Sequence, residues 1–221
     1  MYELLRGPLA TASFVIFFLG IIYQIVRFFL LTRRYEHATK VSGFASRRDE
    51  HNAPSRSIRE KARKQGNVWG MEPHMTVVTT IFHILVVLTP IFLLSHNILI
   101  LDSWGVTLPS FPEAFSDFLT FLILGFGGYF LYRRIFLSKV RALSDINDYL
   151  TFLVVFAPFV TGFIAYHQFF AYNYFIILHI ITGEIMLVCL PFTKLVHMLY
   201  FFLNRFFLVG EYSIRQGTRS F

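Results

Sequence analysis

Histidine side chains within the apolar parts of the sequence are the groups best suited to chemistry. The sequence contains 8 histidines, and five of them lie in or at the ends of long apolar runs: His83, His96, His167, His179 and His197. An ionisable residue in lipid is costly, so each of these raises a functional hypothesis. A neutral imidazole can bind haem iron, and iron held by two imidazoles favours electron transfer. A single membrane histidine is more often explained by a structural hydrogen bond.

The spacing of His179 and His197 indicates two ligand positions on one helix. The residues are 18 positions apart (197 − 179), and eighteen steps of about 100° return to the starting angle of a helix. The rise between them is about 27 Å, close to the thickness of a hydrocarbon core. Gly183, one turn after His179, leaves room for a porphyrin edge. Two haems stacked along the membrane normal require this arrangement.

His83 and His96 are the expected partners on a second, antiparallel helix. Because paired ligands must lie at the same depth, we expect His83 to pair with His197 at an inner haem. His96 is then expected to pair with His179 at an outer haem. Thirteen positions (96 − 83) leave these two imidazoles roughly 140° apart on a straight helix. Pro90 lies between them and predicts a kink or local unwinding.

Other polar residues in the apolar runs have two interpretations each. Glu184 can relay protons to or from a quinone, or it can be a hydrogen-bonded packing residue. Lys194 and Arg205 can bind the propionates of the inner haem as charged donors, or they can extend to the lipid headgroups. His167, at the end of its run, can contact a quinone head or form a polar cap at the membrane interface.

Five apolar runs position these residues, and each is long enough, or nearly so, to cross a hydrocarbon core of about 30 Å as a helix. They are Leu9–Leu31, Thr76–Leu101, Ala114–Tyr132, Tyr149–His167 and Tyr174–Leu203. Only 15% of the residues are charged, against about 25% in soluble domains. No run alternates with period two as a barrel strand does. We therefore expect an all-α integral membrane protein, a five-helix bundle that forms one domain.

The distribution of basic residues predicts the orientation in the membrane. The segment between the first two runs, residues 32–74, contains ten of them: Arg33, Arg34, Lys40, Arg47, Arg48, Arg56, Arg59, Lys61, Arg63 and Lys64. The connections at residues 102–112 and 168–173 contain none. Basic loops stay in the cytoplasm, so we expect the N-terminus outside and the C-terminus in the cytoplasm. The basic segment itself either faces lipid headgroups or docks a cytoplasmic partner.

Charge and cysteine content exclude several other classes. The net charge of +7 is explained by the membrane topology, so it does not indicate a nucleic-acid partner. Cys189 is the single cysteine, which excludes an intrachain disulfide and a thiolate cluster. The sequence has no C-x-x-C-H motif, so any haem is held by side-chain ligation alone. The first apolar run is too long for a cleaved signal peptide and is followed by two arginines.

Parts of the sequence resemble a known family. The stretch HIITGEIMLVCLPFTKLVH, from His179 to His197, resembles the last helix of the respiratory nitrate reductase gamma subunit. Phe82-His83 and the segment Arg133–Arg141, followed by Asp148, resemble that family too. The family includes membrane cytochromes of the Dsr, Hmc and Tmc redox complexes of sulfate reducers.

The resemblance implies a function and a set of partners. The resemblance implies that four histidines are haem ligands: His83, His96, His179 and His197. It also implies an iron–sulfur subunit on the cytoplasmic face and a quinone, such as menaquinone, as a redox partner. We expect a subunit with two haems b in the inner (cytoplasmic) membrane, part of a respiratory oxidoreductase complex rather than a complete enzyme. One redox partner of the subunit is then either a periplasmic donor, for example a multihaem cytochrome c, or the quinone pool. The other partner is the iron–sulfur subunit, and electrons pass between the two through the haems. The alternative is a haem-free membrane anchor or proton-coupled transporter.

Overall fold

A computed structural model describes residues 4–42 and 73–203 of the chain, and the elements in these two ranges are helical. Helix α1 (Ala10–Ser42) follows a π-helical turn at Leu5–Leu9, and it is succeeded by α2 (Pro73–Phe92), α3 (Leu94–Trp104), α4 (Glu113–Phe136), α5 (Ser138–Arg141), α6 (Ile146–His167), α7 (Tyr172–Cys189), a 3-10 turn (Lys194–Val196) and α8 (His197–Leu203). Within these two ranges, five stretches are long and apolar enough to cross a membrane: Leu5–Thr32, His74–Phe92, Glu113–Phe136, Ile146–His167 and Tyr172–Cys189. The prediction of five apolar helices is confirmed.

The second apolar run is two helices rather than the single helix predicted for Thr76–Leu101. Leu93 has an extended backbone (φ −73°, ψ 127°) and separates α2 from α3. The end of a helix leaves carbonyl groups without helical partners. Here the Phe92 carbonyl accepts a hydrogen bond from the backbone N–H of Phe111 at 2.9 Å. The unwinding predicted at Pro90 is therefore a complete break three residues later.

The fifth apolar run is also interrupted, which corrects the continuous helix predicted for Tyr174–Leu203. Helix α7 ends at Cys189, and Pro191 follows in the turn. Proline has no N–H to donate to the preceding turn, so it ends a helix. The hydroxyl of Thr193 then accepts a hydrogen bond from the Leu195 N–H at 3.3 Å and starts the 3-10 turn before α8. The one-face alignment of His179 and His197 was calculated for a straight helix and no longer applies.

The chain divides into two compact units. Of the described residues, the first comprises 4–42, 147–158 and 173–203, and the second comprises 73–146 and 159–172. The single domain predicted for the whole sequence stays a prediction.

The second unit has its own apolar core. Leu85 of α2 meets Leu119 and Ile123 of α4 and Phe159 of α6, and Ile123 is fully buried. Many other large apolar side chains on the spanning helices are exposed. In water such a surface would be strongly unfavourable, whereas in a bilayer these side chains contact lipid. This exposure agrees with a membrane protein of several spans.

Candidate functional site

The second unit contains His83 and His96, two of the four predicted ligands. His83 is half-buried in α2, and its Nδ1 lies 2.6 Å from the carbonyl oxygen of Thr79, one turn earlier. His96 is half-buried in α3, and its Nδ1 lies 2.8 Å from the carbonyl oxygen of Pro90. The break at Leu93 frees this carbonyl from helical pairing. The same break therefore redirects the chain and orients the His96 ring.

The first unit contains His179 and His197. The Nδ1 of His179, in α7, lies 2.9 Å from the carbonyl oxygen of Pro158 in α6. His197 is the first residue of α8, and its Nδ1 lies 2.7 Å from the carbonyl oxygen of Lys194. His179 is half-buried, whereas His197 is exposed. The turn that follows Pro191 thus places His197 at a helix start, where it can contact the carbonyl three residues before it.

All four predicted ligands share one hydrogen-bonding arrangement. A carbonyl oxygen can only accept, so Nδ1 must carry the proton in each ring. That tautomer places the lone pair on Nε2. Metal-binding histidines typically donate their other ring N–H to a carbonyl or carboxylate, which fixes the ring and the tautomer. A neutral ring with this hydrogen bond is the tautomer that iron binding through Nε2 requires.

His167, the fifth membrane histidine, is arranged differently. Its Nε2 lies 2.9 Å from Oδ1 of Asp117, and its ring stacks on Phe169 with centroids 5.2 Å apart. The Phe163 ring lies edge-on to it at 4.4 Å. His167 thus uses Nε2, whereas the four predicted ligands use Nδ1, and its partner is a side chain rather than a backbone carbonyl. The predicted interfacial role of His167 now includes Asp117, a partner that the sequence analysis missed.

The predicted pairs each combine one histidine from each unit. His83 and His96 belong to the second unit, and His179 and His197 to the first, so the pairing itself stays a prediction. Within residues 4–42 and 73–203, no cluster of three or more His, Cys, Asp or Glu could hold a metal ion. An iron held by two imidazoles does not need such a cluster, because the porphyrin supplies the other four ligands.

The remaining predicted haem contacts differ in their surroundings. A Cβ placed on Gly183 would have no atom of another described side chain within 4 Å, so the space beside it is open. Lys194 Nζ forms an ion pair with Asp148 Oδ1 at 2.8 Å. Neither predicted interpretation of Lys194 included this carboxylate. Arg205 lies outside the described residues.

A buried glutamine in the first helix is a polar contact that the sequence analysis overlooked. Gln24 is 5% exposed; its Nε2 donates to the carbonyl of Pro191 at 2.6 Å, and its Oε1 accepts from the Tyr200 hydroxyl at 2.6 Å. Gly20, one turn before, lies against the Pro191 ring, which a Cβ at position 20 would approach to 2.5 Å. A glutamine in the middle of the apolar run Leu9–Leu31 indicates a contact with another helix, because a side-chain amide in lipid needs hydrogen-bond partners.

Comparison with known proteins places the chain in a family. A protein of Nitratidesulfovibrio vulgaris (strain Hildenborough) is 35% identical over 219 residues, which covers 98% of this chain and 96% of the relative. The chain belongs to the family of this protein. The relative carries only the name "Protein", which states no function. No family model matches the chain, and no solved structure matches it. The resemblance to nitrate reductase gamma subunits stays a prediction.

The donor set fits b-type haem as judged from the residues themselves. Four imidazoles have Nδ1 within hydrogen-bond distance of a backbone carbonyl, as iron-binding histidines typically do, and open space lies beside Gly183, one turn after His179. Attachment of haem through a C-x-x-C-H motif needs two cysteines, and this chain has one. The side chains are thus suited to two haems bound without covalent links.

Proposed function

We propose that this protein is the dihaem cytochrome b subunit of a membrane-bound respiratory complex and carries electrons across the bilayer. One observation carries the proposal. In the described helices, His83, His96, His179 and His197 each donate Nδ1–H to a backbone carbonyl. Iron-binding histidines typically donate their other ring N–H in this way, so the shared arrangement supports a common role as ligands.

In this proposal His83 and His197 hold the inner haem, and His96 and His179 hold the outer one. A haem, when bound, supplies one-electron chemistry at iron. The carbonyl groups of Thr79, Pro90, Pro158 and Lys194 fix the rotation of the rings. Lys194 and Arg205 are proposed to bind propionates of the inner haem, and Gly183 is proposed to leave room for the outer porphyrin. Lys194 would then share its charge between a propionate and Asp148.

The proposed location is the inner (cytoplasmic) membrane, with the N-terminus outside. Ten basic residues in residues 32–74 support this orientation. Electrons would pass between a periplasmic multihaem cytochrome c or menaquinone and a cytoplasmic iron–sulfur subunit. The chain would act as an electron-transfer subunit rather than as a complete enzyme.

The test is the haem content of the purified protein. We expect two haems b per chain in a pyridine haemochrome assay, and acidic acetone should extract both because no thioether bond holds them. The reduced protein should show a low-spin b-type spectrum. A preparation with one haem would contradict the dihaem assignment, and a colourless one would favour the haem-free anchor or transporter.

A further inference from the structure

A groove in the first unit contains a carboxyl group with one buried oxygen that has no hydrogen-bond partner among the described residues. The groove has a volume of about 330 Å³ and lies between α7 and the start of α1. Glu184 lines it, and Oε1 of this residue is buried without a partner among the described residues. No other lining residue carries an ionisable carboxyl group. A buried carboxyl oxygen without a partner costs free energy, so a ligand with a hydrogen-bonding group would gain from contact with it.

The walls of the groove determine what kind of molecule fits. Apart from Glu184, Ser13 and Cys189, they are aliphatic, and the Ser13 hydroxyl donates to the Ala10 carbonyl of its own helix at 2.8 Å. At the rim, Ile16 is 41% exposed and Ile185 is 47% exposed, so the groove opens towards the lipid. A ligand must therefore be apolar along its body, reach the groove from the bilayer and carry a polar group at one end.

We propose that this groove binds the head of a lipid-soluble quinol or quinone, with Glu184 as its hydrogen-bond partner. The carboxylate accepts from a quinol hydroxyl, and the protonated acid donates to a quinone carbonyl. The volume lies in the range of small-molecule sites, so it holds the ring and the first part of a tail while the rest extends into lipid. This inference rests on the proposed function, because it names the molecule that exchanges electrons with the haems.

Helix geometry places the groove beside the outer ligand. Glu184 is five positions after His179 (184 − 179), which is a rise of about 7.5 Å along α7. The step also turns the carboxyl roughly 140° around the helix from the imidazole. Quinol head and porphyrin can therefore occupy different faces of one helix at nearly the same depth, without competing for space.

The experiment is a binding titration on the purified full-length protein. The probe is 2-heptyl-4-hydroxyquinoline N-oxide, a fluorescent quinol analogue, and its quenching on binding is followed. We expect one saturable site per chain. Glu184→Leu removes the hydrogen bond and should weaken binding by about tenfold or more. Ala12→Phe keeps the carboxyl but fills the groove and should weaken binding as strongly. Thr11→Val, on the same helix but outside the groove, is the matched control and should bind normally.

The possible results separate this inference from the proposed function. Absence of saturable binding, or wild-type affinity in Glu184→Leu, would overturn the inference. Phospholipid retained in the groove and not displaced by the probe would also overturn it, since the groove would then be a lipid contact. Haem content is measured on the same samples. Two haems without probe binding would refute only the quinol site, whereas probe binding without haem would refute only the cytochrome.

Discussion

At the residue scale, the choice of ring nitrogen separates the membrane histidines into two groups. In His83, His96, His179 and His197, Nδ1 contacts a backbone carbonyl, whereas His167 uses Nε2 with Asp117. The sequence identified which histidines lie in apolar runs, because that depends only on their neighbours. It could not give the partners of His96, His179 and His197, since these carbonyls are set by the breaks at Leu93 and Pro191 and by the packing of α6, whereas the partner of His83 lies one turn earlier in its own helix.

The four histidines should behave as two matched pairs. His96→Ala and His179→Ala should each remove the same haem, because each variant takes one ligand from the outer iron. His83→Ala and His197→Ala should each remove the other. Haem stoichiometry and redox titration of each variant measure this.

The control for these variants is His167→Ala, which removes an imidazole from the same kind of environment. It should keep two low-spin haems, because its Nε2 is engaged by Asp117. If His96→Ala kept both haems while His167→Ala lost one, the outer ligand would be His167. The five-helix cytochrome would survive that result, but the second apolar run would supply only one ligand.

At the element scale, hydrophobic runs predicted the number of spans well and their continuity poorly. The three spans without a break agree with the predicted bounds to within a few residues. Pro90 and Pro191 indicated weak points, but where the backbone turns depends on tertiary partners. Phe111 satisfies the Phe92 carbonyl, and Gln24 satisfies the Pro191 carbonyl. Such partners are far away in sequence, so a local pattern could not reveal them.

The contact between Gln24 and Pro191 should control the position of His197. Gln24→Leu removes the partner of the Pro191 carbonyl and of the Tyr200 hydroxyl, which should destabilise the protein by about 1–3 kcal/mol. Since Pro191 lies six positions before His197 (197 − 191), the midpoint potential and spectrum of the His197 haem should change. Thermal unfolding and redox titration measure the two effects.

Two further variants test whether this effect is specific. Ser13→Ala removes a buried hydroxyl whose hydrogen bond is local to α1. It should therefore destabilise the protein less than Gln24→Leu does and leave the midpoint potentials of both haems unchanged. Gly20→Val places a side chain against the Pro191 ring and should imitate Gln24→Leu through steric overlap. Equal shifts of both haems in Gln24→Leu would argue for general loosening and against a role in placing His197.

At the scale of the whole molecule, composition established the class, and the five apolar helices agree with it. The side of the membrane on which each terminus lies follows only from the basic residues and stays a prediction. Basic loops determine the orientation while the chain inserts into the membrane, so no contact within the fold reports it. Residues 43–72, which contain most of the basic segment, lie outside the described ranges. Orientation and docking must therefore be tested on the protein in its membrane.

The basic segment at residues 32–74 should face the cytoplasm and be covered by the partner subunit. Its ten positive charges predict the side of the membrane on which it lies. They also suit an acidic docking surface, whose attraction weakens with salt. In inside-out vesicles, trypsin should cut the segment only after the partner has been removed with high salt. Right-side-out vesicles should resist cleavage there in both states, which is the control for orientation. Equal cleavage of inside-out vesicles with and without the partner would contradict docking and leave the orientation intact, because lipid headgroups alone would then face the segment.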